Sequence, residues 1–133
     1  MSHKHDLIRY PSWIKYTVGY ASLQTAALTN SATIFTLPAK GVIQAAHADV
    51  DTAFAGTAIV TLGVTLGDAG NNSRYLASFT VLSTGLLTPS SGIWVPSMSG
   101  TTTIKVYATA VGANLSALSV GSLSVYVFWS TLP

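Results

Sequence analysis

Between Thr57 and Leu66 every second residue is apolar. Ala58, Val60, Leu62, Val64 and Leu66 share one phase, and Thr61, Gly63 and Thr65 the other. A period of two sends alternate side chains to opposite sides of an extended backbone, so residues 57–66 read as a strand with one buried face. The same pattern recurs along the chain. In residues 13–20, Ile14, Tyr16, Val18 and Tyr20 line one side while Lys15 and Thr17 line the other. Residues 74–82 place Tyr75, Ala77, Phe79 and Val81 in phase. Residues 31–37, 42–51, 102–111 and 120–129 are rich in β-branched and aromatic residues, and Pro38 closes the first of them.

Small residues and prolines punctuate these runs. A turn is expected at 53–56, and residues 67–72 (GDAGNN) read as a flexible loop by composition. Residues 85–100, with Pro89, Pro96 and three glycines, read as mostly loop with a short edge strand at 93–95. Residues 112–119 fit a single helical turn or a loop, and the Ala-rich 21–28 is too short for a helix. Seven or eight strands without a helix-length period define an all-β class, a single antiparallel β-sandwich or barrel. Residues 1–12 read as an extended N-terminal arm and 13–133 as the domain.

Charge is scarce. Only 8% of the chain is Asp, Glu, Lys or Arg, against about 25% in ordinary soluble domains. Four aspartates stand against six cations, and there is no glutamate. A surface with so little charge is prone to associate, which predicts a homo-oligomer. The cations are scattered, so no phosphate-tracking patch is formed and no nucleic-acid partner is expected. The apolar runs are too short for a membrane helix, and the polar N-terminus has no secretory signal. Without cysteine there is no disulfide or thiolate metal site.

Chemistry-bearing residues are few. His47, Asp49 and Asp51 fall at i, i+2 and i+4, but same-face strand neighbours lie about 6.5–7 Å apart, so the three cannot ligate one ion. Asp49 and Asp51 would need further oxygens, for instance from near Asp68, to hold calcium. The loop at 67–73 has one carboxylate and no phosphate-loop spacing, and no serine sits in a nucleophile elbow. No catalytic residue, cofactor or metal is expected, and the chain is read as a non-enzyme. The aromatics Trp13, Tyr16, Tyr20, Trp94 and Trp129 are the interface candidates, because aromatic side chains are enriched at interface cores.

Five segments carry a resemblance: 33–38 (TIFTLP), 42–54, the pair 61–67 (TLGVTLG) and 73–76 (SRYL), and 124–129 (SVYVFW). Together they resemble the small β-sandwich, jelly-roll-like structural proteins of tailed bacteriophages, of the head decoration or cement type. The resemblance runs from about Thr33 to Trp129 and rests on small and β-branched residues rather than on a chemical signature. It implies a virion protein on the capsid surface, commonly a homotrimer, whose partners are itself and the major capsid protein. The rival reading is a minor tail or spike module that binds a host-surface glycan.

Overall fold

The computed structural model describes residues 11–87 and 90–133. Residues 1–10, most of the expected arm, lie outside it. In chain order the strands are β1 (Ser12–Gly19), β2 (Thr29–Leu37), β3 (Gly41–Gly56), β4 (Thr61–Asp68), β5 (Asn71–Thr80), β6 (Gly85–Leu86), β7 (Ser90–Trp94), β8 (Thr102–Val111) and β9 (Leu118–Thr131). Helix among the described residues is confined to single 3-10 turns at Tyr20–Ser22 and Leu115–Ala117.

The strands form two antiparallel sheets that face one another. The first has the order β1-β9-β3, with β6 and β7 both pairing the far side of β3; the second has the order β2-β8-β4-β5. The pairing is nested: β4 with β5, β3 with β6 and β7, β2 with β8, β1 with β9. This is one long hairpin rolled up, closed by the β3–β9 and β4–β8 ladders, which is a jelly roll. The nine strands occupy eight positions, because β6 and β7 share one.

The alternation seen in the sequence explains the core. Leu62, Val64 and Leu66 of β4, Ile104, Val106, Ala108 and Ala110 of β8, and Leu123, Val125 and Val127 of β9 point between the sheets and are buried. Aromatic pairs close the two lateral seams. Tyr16 of β1 stacks on Phe35 of β2, centroids 5.0 Å apart, and Phe35 lies 5.6 Å from Trp129. On the other side Tyr75 of β5 meets Trp94 of β7 edge-on at 5.5 Å.

Several boundaries differ from the sequence expectation. β4 begins at Thr61, not 57: Ala58 turns with φ of 66°, and Val60 is 66% exposed. The period of two runs on through a turn that reverses the chain. Residues 53–56 are not a turn; β3 continues to Gly56, following β9 through a series of bulges. Gly121 makes this possible. It adopts φ of 142° directly beneath Phe54, where any Cβ would overlap the aromatic ring. Ser12 already belongs to β1, and Tyr20 has left the strand for the 3-10 turn. The expected loop 67–72 is a two-residue turn, Ala69–Gly70, between the ends of β4 and β5.

Candidate functional site

Two regions gather the polar and aromatic side chains: the outer face of the first sheet, and the turn between β4 and β5.

On the outer face, registration sets three rows across β1, β9 and β3: Trp13–Phe128–Ala45, Lys15–Tyr126–His47 and Thr17–Ser124–Asp49. The first two rows form a continuous aromatic strip. Trp13 lies 5.2 Å from Phe128 and 5.2 Å from His47, and His47 lies 4.6 Å from Tyr126. The Lys15 ammonium sits 6.0 Å from the Tyr126 ring centroid, at the limit of a cation–π contact. Burial pushes the His47 imidazole pKa below its ordinary value, with Asp49 opposing in part, so the ring is neutral at pH 7. Its Nδ1 is buried and accepts no hydrogen bond from the described residues. Beyond β3 the face continues with Leu86 opposite Asp49 and with Ile93, 66% and 77% exposed.

His47, Asp49 and Asp51 do not converge. A bulge after Val50 re-aims Asp51, whose carboxylate accepts a hydrogen bond from the Ser124 hydroxyl. Among the described residues no group of three or more His, Cys, Asp or Glu is arranged to hold a metal ion.

The β4–β5 turn is built around Asp68, which is 4% exposed. Its carboxylate accepts hydrogen bonds from the Gly70 and Asn71 amides at 3.0 and 3.1 Å, from Arg74 Nε and Nη2 at 2.9 and 3.3 Å, and from the Tyr75 hydroxyl at 2.8 Å. Burial raises the Asp68 pKa, but the Tyr75 and Arg74 hydrogen bonds, the Asn71 amide and the Arg74 charge outweigh it and hold the carboxyl below its usual range. Burial and then Asp68 itself push the Tyr75 phenol well above its ordinary value. The network explains a rigid turn rather than a reaction: every Asp68 donor is a structural neighbour. Thr33, Thr103, Lys105 and Arg74 line an open hollow beside it.

The five aromatic candidates separate by phase. Tyr16 and Trp129 point inward and join the lateral seam, Tyr20 and Trp94 pack partly buried against the core, and Trp13 stands on the outer face, 47% exposed. His47, weighed from the sequence only as a metal ligand, shares its strip, as do Tyr126 and Phe128, which the sequence did not single out. Their signal was there: each is out of phase with the buried apolar residues beside it, Ala46 and Ala48 on β3 and Val125 and Val127 on β9.

The chain is similar in structure to a chain of the cyanophage Pam1 capsid asymmetric unit, with a TM-score of 0.64 over 94% of this chain and 86% of that one, at 21% identity. It is also similar to a chain of the Ralstonia phage GP4 capsid, with a TM-score of 0.54 over 93% and 86% at 19% identity. A chain of the acid-stable capsid of Helicobacter pylori bacteriophage KHP30 follows, with a TM-score of 0.51 over 89% and 86% at 17% identity. The likeness is one of fold. No protein-family model and no curated protein matches the chain.

Proposed function

We propose that the protein is a non-enzymatic bacteriophage virion component, a decoration or cement protein that binds the capsid surface as a homo-oligomer, a trimer in its simplest form. One observation carries this reading: the rolled-hairpin fold matches phage capsid chains across nearly the whole of both partners, so the similar chains are small jelly rolls of about this size. The scarcity of charge supports it. The mechanism is burial. A subunit that covers joints between major capsid proteins removes apolar area from water, worth about 25 cal/mol per Å² before association costs. Of the aromatic candidates Trp13, 47% exposed, offers the most surface to such a contact, and the partly exposed Tyr16, Tyr20, Trp94 and Trp129 would contribute less. The arm, read from the sequence as residues 1–12, belongs to the proposal as an anchor; because Ser12 is already part of β1, deleting residues 1–10 is expected to weaken attachment and leave the domain folded.

The test is reconstitution. Virions lacking the protein are imaged and challenged by heat or low salt, then recombinant protein is added back. Density restored at fixed lattice positions, with restored resistance, is the expected result. Failure to bind such particles, together with selective binding on a glycan array, would favour the tail or spike reading.

A further inference from the structure

We infer that the outer face of the β1–β9–β3 sheet is where copies of this chain meet, the Lys15 flank of one copy against the Asp49 flank of the next. The inference rests on the self-association proposed above and assigns it a face.

Two observations point there. First, no described segment covers this face, although it carries the aromatic strip and, beyond β3, the exposed Leu86 and Ile93. A contiguous apolar patch of this kind on a chain with so few charges marks an interaction site. Second, its charges are complementary. Lys15 stands on β1 at one flank and Asp49 on β3 at the other, one row apart and separated by the Tyr126 column. No hydrogen bond or ion pair joins them within the chain; Lys15 lies over Tyr126 and Asp51, not Asp49, receives the Ser124 hydroxyl.

Opposite charges on opposite flanks suit a head-to-tail ring. With the face turned towards a three-fold axis, Tyr126 and Phe128 of the central strand point at the axis. Each Lys15 then reaches the neighbour's Asp49. A partner of another sequence would need no such self-complementarity, which is why the occupant is a second copy.

Charge reversal tests this on the full chain. Lys15→Glu or Asp49→Lys alone sets like charges against each other and is expected to raise the dissociation constant about tenfold or more in sedimentation. The double variant, Lys15→Glu with Asp49→Lys, restores opposite charges and is expected to recover assembly. Near-native circular dichroism for each variant excludes misfolding. Because the chain has no cysteine, Lys15→Cys with Asp49→Cys reports geometry directly. Under oxidation it is expected to give a disulfide-closed trimer. A covalent dimer would keep the face and overturn the ring. Single reversals that assemble like the parent would overturn the face while leaving self-association standing. A parent chain that stays monomeric at high concentration would overturn both.

Discussion

The Tyr75 hydroxyl of β5 donates to the carboxylate of Asp68, the last residue of β4, at 2.8 Å, and both residues are buried. The pair converts what composition describes as a loop into a fixed corner of the second sheet, with Arg74 clamped alongside at 2.9 Å.

Removing the carboxylate strands its donors. Asp68→Ala is expected to lower stability by about 3 kcal/mol, because the Tyr75 hydroxyl and two turn amides lose their acceptor. Tyr75→Phe removes one donor and leaves Asp68 four others, so its cost is expected to be about 1 kcal/mol. Urea unfolding of both variants checks the order. Equal losses would show that Asp68 acts through Tyr75 alone.

Acid is expected to weaken the fold in two separate windows. The His47 pKa is depressed in the folded state below its usual 6.5, so the unfolded chain binds more protons there, and stability falls as pH drops below about 6.5. The Asp68 pKa is depressed below its usual 3.8, so the stability it contributes is present above that value and is lost as pH falls through the folded pKa. Melting temperature followed from pH 7.5 to pH 2.5 reads both. His47→Gln should flatten the upper slope and Asp68→Asn the lower, each leaving the other in place.

Gly121→Ala is expected to cost about 2–4 kcal/mol, since a methyl there meets the Phe54 ring on a backbone with positive φ. Combining it with Phe54→Leu relieves the overlap but keeps the backbone strain, so partial recovery is expected. Chemical denaturation of the two variants measures it.

Calcium and chelator are expected to leave the melting temperature within about 1 °C of the untreated protein, because a bound ion would instead raise stability with its concentration. Asp51 is already occupied by Ser124 and Asp68 by its five donors, which leaves Asp49 without a second carboxylate. A calcium-dependent rise of several degrees, abolished by Asp49→Ala, would contradict this.

The sandwich was legible because its inward residues keep strict phase: Ile14, Tyr16 and Val18 on β1, and Leu62, Val64 and Leu66 on β4. Phase also carried information about the aromatics that counting them did not, since Tyr16 falls with the core residues and Trp13 between them. What phase cannot report is chain reversal. Ala58 and Val60 keep the period but lie in a turn, while the small residues 53–56 look like a turn and are held in β3 by its ladder with β9. Asp68 was hidden for a related reason. A carboxylate among glycines reads as solvated, and only the Arg74–Tyr75 pair six and seven residues on hinted at buried donors.

The nested pairing has a consequence for synthesis. β1 has its ladder with β9, so a strand that leaves the ribosome early stays without its neighbour until the whole roll has been made. β3 is in the same position on its longer edge. Pairings this distant in sequence slow the search for the native state. Until β9 has emerged, nascent chains therefore carry β1 and the longer edge of β3 without their neighbour, and it is in this interval that wrong partners have most access to them.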